Sequence, residues 1–173
     1  RQLFGVSQNF MRQTFTPIRG ILNDAFDRID DLHKNKGQLR GLPTGFPDLD
    51  NLLAGFQKSD LIILGARPSV GKSSLALDFV RHIGVKSKIP VGLFSLEMSK
   101  EQLVDRMLCS EANIDLWKMR TGRLSDRPED DDFPRIGHAM GVLSEAPIFI
   151  DDAPNNNIMQ IRTKARRLQM EHG

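Results

Sequence analysis

The sequence predicts a three-layer α/β fold, a mainly parallel sheet with helices on both faces, preceded by a separate helix. Three observations carry this. Short apolar runs (LIILG at 61–65, VGLFSLE at 91–97 and PIFI at 147–150) alternate with segments of helical period, and strands separated by helices imply parallel pairing. A glycine-rich turn joins the first run to the helix after it. A connector rich in Gly, Pro and Lys, KNKGQLRGLPTGFPD at 34–48, cuts the first helix off from the rest.

In chain order, Thr16 and Pro17 read as an N-cap and first helical position. They introduce a stripe of Ile18, Ile21, Leu22, Ala25, Ile29 and Leu32, with Asp24, Asp27, Arg28, Asp30 and Asp31 on the other side. The stripe must be covered, either by its own domain or by another subunit. After the strand at 61–65, KSSLALDFVRHIG (72–84) reads as a helix ending at its glycine. Ser99, with Gln102 three positions on, forms a capping box that opens the helix SKEQLVDRMLCSEA. A mostly helical stretch runs on to about Glu145, broken by the polar loop LSDRPEDDDFP at 124–134. Asn157 then caps a helix carrying Ile158, Ile161, Ala165 and Leu168.

The chain has 173 residues, 39% hydrophobic and 27% charged, with a formal net charge of +2. That composition suits one globular domain with a small appendage, and the charge alone gives no argument for nucleic acid. No apolar run is long enough to span a bilayer, so no membrane role is expected. RQLFGVSQNF lacks the pattern of a secretory signal. With the single cysteine Cys109, no intrachain disulfide can form, which fits a reducing, cytoplasmic setting.

Chemistry concentrates at 65–74. Gly65, Gly71, Lys72 and Ser73 satisfy G-x-x-x-x-G-K-[ST], and Ala66, Arg67, Pro68, Ser69, Val70 and Ser74 complete the loop. Glycines allow the tight turn, and successive backbone N–H groups form a nest for phosphates. The following helix adds its positive dipole end. Lys72 supplies a mobile charge to the β- and γ-phosphates, and the Ser73 hydroxyl is a Mg²⁺ ligand, so ATP with Mg²⁺ is the expected cofactor pair. Glu97 closes the second strand, where ligands of open α/β sheets sit. It reads equally as the base that deprotonates an attacking water or as a surface acid before a helix N-terminus.

Asp151 also ends a strand. Only Ile148, Phe149 and Ile150 precede it, and Asp152-Ala153-Pro154 reads as a turn into the helix capped at Asn157. The run Arg162, Lys164, Arg166 and Arg167 reads as a solvated helix face. Trp117 reads as core, His82, His138 and His172 are too scattered for a metal site, and Cys109 reads as packing.

GLPTGFPDLDNLLAGF (41–56), LIILGARPSVGKSSLAL (61–77), VGLFSLEMSKEQLVDRML (91–108) and APIFIDDAPNNNIMQIRTKARRLQMEHG (146–173) resemble the bacterial replicative hexameric DNA helicases, the DnaB-like family. The resemblance covers essentially the whole chain, and RPSVGKS and FSLEMS are more restrictive than the bare loop pattern. It implies a RecA-like P-loop ATPase motor over 36–173, incomplete here, preceded at 1–35 by an interdomain linker. It implies ATP-driven 5′-to-3′ unwinding, with Glu97 as general base. It further implies a homo-hexamer joined through Ile18, Ile21, Leu22 and Ile29, single-stranded DNA as track, and a primase and a helicase loader as partners. In this family the strand before the DDAP-like turn is not the metal strand, so Asp151 is expected to be a decoy. The Mg²⁺-site aspartate, the DNA-contacting loops and the arginine finger are expected beyond Gly173, and a further domain before the linker. Two other readings stand beside this: another RecA-like ATPase, or a nucleotide-binding or subunit-interaction module without turnover.

Overall fold

The computed structural model describes residues 17–34, 39–127 and 130–172. Thr16, much of the connector and the side chains of Asp24, Arg28, Asp31 and Leu32 fall outside the described residues. The chain divides into two compact units, Arg1–Arg40 and Gly41–Gly173.

In the first unit, helix α1 (Ile18–Lys34) starts directly after Pro17 and ends with His33 and Lys34 in its last turn, where cations complement the helix dipole. Lys34 also pairs with Asp30 one turn back, at 2.6 Å. Ile18, Ile21, Leu22 and Ile29 are all exposed, and so is Phe26, which the stripe omitted.

The second unit is built on two adjacent parallel strands, β1 (Val91–Phe94) and β4 (Ile148–Asp151), in the register Val91↔Ile148 through Phe94↔Asp151. Side chains alternate across a sheet, so this register divides the pairs between two faces. Val91, Leu93, Ile148 and Ile150 pack against a core of Leu77, Val80, Leu103 and Met107. These come from α3 (Lys72–Arg81) and α4 (Lys100–Ala112). On the opposite face, Leu168 of α7 (Ile158–His172) lies over Gly92, and His172 stacks on Phe149 at 4.3 Å. Helices thus cover both faces, the three-layer arrangement expected.

A second cluster joins α4 to α6 (Asp132–Ser144) through Leu108, Ala112, Ile114 and Ala139. Between these helices lie α5 (Leu116–Thr121) and a minimal hairpin, β2 (Asp126–Arg127) with β3 (Asp130–Asp131). The described part of the stretch expected as a polar loop at 124–134 thus holds this hairpin and the start of α6, and the carboxylate of buried Asp132 accepts from the Ser125 N–H at 2.9 Å. Ahead of α3, α2 (Pro47–Leu53) sits in a closed turn: Leu42 bridges Phe56, and Phe46 and Phe56 both meet Phe79 edge-on.

Three expectations are corrected. The apolar run at 61–65 forms no strand; Leu61 and Ile63 are 86% and 84% exposed. Apolar sequence signals burial, but a strand exists only as part of a ladder, and no described segment pairs with this run. The helix from Lys72 does not stop at Gly84: it continues as a π-helical turn, His82–Lys86. Gly84 is there for close approach, since a Cβ would lie 2.5 Å from Ile148 Cγ1. Trp117 is 56% exposed rather than core, with the Arg123 guanidinium 4.8 Å over its ring.

Both predicted capping residues hold. Ser99 Oγ accepts from the Gln102 N–H at 3.5 Å. Asn157 and Gln160 exchange reciprocal bonds at 2.9 and 3.0 Å. Among the described residues no helix is long and apolar enough to cross a membrane.

Candidate nucleotide site

The loop before α3 takes the shape its glycines permit. Gly71 is the N-cap of α3 at φ 98°, and Ser69 also lies in the left-handed region at φ 65°. Positive φ at Gly71 is cheap only because it has no Cβ. The turn is closed by the Val70 N–H donating to the Arg67 carbonyl at 3.4 Å and the Leu75 N–H donating to the Gly71 carbonyl at 2.9 Å. The first turn of α3 carries no acid and no side-chain cap, which leaves its leading N–H groups open to an anion.

A cleft of about 640 Å³ opens over this loop, within the ~300–1,000 Å³ typical of small-molecule sites. It gathers Ala66, Arg67, Pro68, Ser69, Gly71, Lys72, Ser73, Ser74 and Glu97. Gly65 and Val70, also expected at the site, do not line it. Among the described residues neither Lys72 nor Glu97 has an ion-pair partner, and both are exposed. A cation and a carboxylate left free on one cleft are available to a ligand.

Glu97 owes its place to the strand before it. β1 ends at Phe94, and the Ser95 N–H extends the ladder by donating to the Asp151 carbonyl at 2.9 Å. The Ser95 hydroxyl then accepts from the Met98 N–H at 3.1 Å and donates to the Met98 carbonyl at 2.6 Å. Glu97 lies within that small ring, so its backbone is held between Ser95 and Met98.

Three polar residues of the cleft were missed from the sequence: Gln102, Arg106 and Arg120. Gln102 and Arg106 are four apart on α4 and so share a face, a signal that was present. Arg106 Nη1 reaches Ser74 Oγ at 3.5 Å, and its Nε is buried without a partner. Arg120 comes from α5, and only tertiary packing brings it in. With Arg67, Lys72, Arg106 and Arg120 against Glu97, the cleft is cationic, as a polyphosphate requires.

Asp151 is elsewhere. It does not line the cleft but binds Lys164, the Asn156 side-chain amide at 3.1 Å and the Ala153 N–H at 3.1 Å. These bonds, that from Lys164 foremost, hold its carboxyl down at about 2. The basic run at 162–167 is accordingly not all free: Lys164 is taken by Asp151, and Arg167 by Glu171 at 2.7 Å. Cys109 is buried beside Met119, and desolvation raises its thiol above the usual range, as inert packing requires. No group of three or more His, Cys, Asp or Glu able to hold a metal occurs among the described residues.

Residues 41–173 match the DnaB-like helicase C-terminal domain. The chain belongs to the DnaB-like helicase family. It is 47% identical over 173 residues to the replicative DNA helicase DnaB of Geobacillus stearothermophilus, covering 100% of this chain and 37% of that protein. Among solved structures, an ATPase domain superposes with a TM-score of 0.82 at 25% identity, covering 92% of this chain and 54% of that one. A DnaB-like replicative helicase described with its interactions with primase gives a TM-score of 0.78 at 24% identity, over 99% of this chain and 39% of that one. The fold is thus that of the RecA-like ATPase domain of DnaB-like helicases, and this chain spans little more than a third of the DnaB relative's length.

Proposed function

We propose that this chain carries the nucleotide-binding part of a replicative DNA helicase subunit, which couples ATP hydrolysis to movement along single-stranded DNA and unwinding. One observation supports this above the others: Lys72, Ser73 and Glu97 share a cleft in which the lysine and the glutamate have no ion-pair partner among the described residues. Residues 66–69 and 71–74 would hold the phosphates, and Ser73 would be one ligand of Mg²⁺. The donor set fits, since Mg²⁺ keeps most of its waters and takes few protein oxygens. When bound, Mg²⁺ neutralises charge on the phosphates. Glu97 accepts the proton of the attacking water. Lys72 and the neighbouring arginines hold the γ-phosphoryl group against it. Substituting Lys72→Ala removes a mobile cation from the phosphates, and nucleotide titration is expected to show weakened ATP binding. Unchanged affinity for both ADP and ATP would overturn the assignment.

Subunit contact is part of the same proposal. The segment at 1–35 is read as a linker, and the exposed stripe Ile18, Ile21, Leu22 and Ile29 as its face for a neighbouring copy in a hexameric ring. Burying one such side chain is worth about 1.5–3 kcal/mol, repeated at every joint. Ile21→Asp with Leu22→Asp is therefore expected to break rings, read by size measurement, and to leave the melt of the second unit in place. A collapsed melt would assign the helix to its own core instead. Primase and a helicase loader belong to the proposal as partners, and the cytoplasm as the setting.

A second reading is favoured by one feature. Leu61–Leu64, which leads into the phosphate loop, joins no ladder and is exposed; a loop with no laddered strand behind it favours a module that binds nucleotide or a neighbouring subunit without turning ATP over. Hydrolysis measured with and without single-stranded DNA, on this chain and on a subunit of the relatives' full length, separates the readings. DNA-stimulated turnover in the short chain would reject the second.

A further inference from the structure

The segment that carries Glu97 is tied at both ends to the end of the neighbouring strand. At its start, the Ser95 N–H donates to the backbone carbonyl of Asp151 at 2.9 Å. At its end, the N–H of Lys100, the first residue of α4, donates to Asp152 Oδ2 at 2.9 Å. Fifty-two positions separate Lys100 from Asp152 in sequence. The side-chain cap from within the segment serves a different donor and is long: Ser99 Oγ accepts from the Gln102 N–H at 3.5 Å. A carboxylate at a helix N-terminus is favoured by both the open N–H group and the dipole, and a charge-assisted bond of this length is of the stronger kind. Asp152 therefore satisfies a second N–H of the first turn, with a shorter bond than the one Ser99 makes.

We propose that Asp152 is a positioning residue for Glu97, acting through the N-terminus of α4; this rests on Glu97 being the general base. Between the two ties lie only Leu96, Glu97, Met98 and Ser99, with the Ser95 hydroxyl bonded to both backbone groups of Met98. Loss of the Asp152 carboxylate frees the distal tie while the proximal one, made by backbone atoms, stays. The glutamate then samples positions off the line of attack, although the phosphate loop is untouched. The neighbouring Asp151 serves the other side of the turn, bonded to Lys164 and Asn156. Two consecutive acids thus have separate duties, one toward α7 and one toward α4.

The test uses a full-length helicase subunit carrying these residues, in three variants: Asp152→Ala, Asp152→Asn and Glu97→Gln. Misplacing a reacting group by about 1 Å can cost on the order of 10²-fold. Asp152→Ala is therefore expected to lower kcat for ATP about 10- to 100-fold with KM for ATP little changed. Asp152→Asn, which keeps an oxygen acceptor for the Lys100 N–H, is expected to recover most of that loss. Added to Glu97→Gln, Asp152→Ala should cost nothing more, because there is no base left to misplace. Normal kcat in Asp152→Ala, or a loss that Asn fails to rescue and that comes with a raised KM or a collapsed melt, would overturn the inference. Normal turnover in Glu97→Gln would instead remove the general-base reading, a distinct failure.

Discussion

β1 and β4 run side by side in parallel, and each delivers an acid at its carboxyl end, Glu97 after one and Asp151 on the other. Their surroundings are opposite. Asp151 is held by Lys164, Asn156 and the Ala153 N–H, and its carboxyl is pulled down to about 2. Glu97 has no ion-pair partner among the described residues and stands on a cleft with Lys72 and three arginines. Strand-end position places an acid near the ligand side of an α/β sheet, but it does not make the acid available. A carboxylate whose oxygens are already bonded by a lysine and two amides gives up structure if it turns to a metal. Glu97 gives up nothing.

The sharpest way to break this comparison is to neutralise the free acid. Glu97→Gln keeps shape and removes the proton acceptor, so ATP binding should persist while turnover in the full-length protein falls about 10²- to 10⁴-fold. Steady-state hydrolysis with a parallel binding titration checks it. Near-normal turnover would place Glu97 with Asp151 as an acid that serves the fold.

A smaller effect is expected from disturbing the strands that carry both acids. Gly84 lies under Ile148, with space for no Cβ. Gly84→Ala must push Ile148, and with it β4, against the register Val91↔Ile148. Overpacking of this kind costs about 1–3 kcal/mol, visible as a lower Tm, with nucleotide affinity nearly kept because the phosphate loop is on the far end of α3. An unchanged Tm would mean that the π-helical turn yields instead of the strand.

Much of this was legible in the sequence because it rests on local rules. The capping residues Ser99 and Asn157 and the loop from Gly65 to Ser74 follow from periodicity and motif, as do two strands, expected at 91–97 and 147–150 and found at Val91–Phe94 and Ile148–Asp151. What failed was non-local. LIILG has the composition of a buried strand, yet composition says nothing about whether a partner is there to pair with it. Gly84 looked like a helix stop because glycine often is one, and only the packed structure shows Ile148 against it. Trp117 read as core because basic residues did not interleave with the aromatics as in a stacking platform, while Arg123 six positions on gives it a place at the surface. At the site, Arg120 had no signal in its own segment, and the Asp152 bond to Lys100 joins residues no local pattern connects. Spacing left Glu97 open between base and surface acid, while the short run before Asp151 and the turn after it already argued against a metal role there. Resemblance to a family pointed the same way for both, and Asp151 is the one of the two whose oxygens are bonded to Lys164, Asn156 and the Ala153 N–H.

The smallest expected effect tests the other member of the pair. Asp151→Asn should leave Mg²⁺-dependent ATP binding intact, because the residue is committed to Lys164 and does not line the cleft. Its consequence should appear in stability, and the sign follows from the depressed carboxyl. The ordinary value is 3.8 and the folded value about 2, so the unfolded chain takes up the proton first as pH falls. The contribution is therefore complete above about pH 5, constant through neutrality, and lost as pH falls toward 2. Melts of the parent and Asp151→Asn proteins should differ by a fixed amount between about pH 5 and 8 and converge in strong acid. The gap should be small, since exposed ion pairs contribute little and are screened by salt. Removing the partner gives an independent check: Lys164→Met should raise the Asp151 carboxyl back toward its ordinary range and shift the acid-dependent step upward with it. A loss of Mg²⁺ dependence in Asp151→Asn, with the melts superimposed at every pH, would exchange the roles of the two acids.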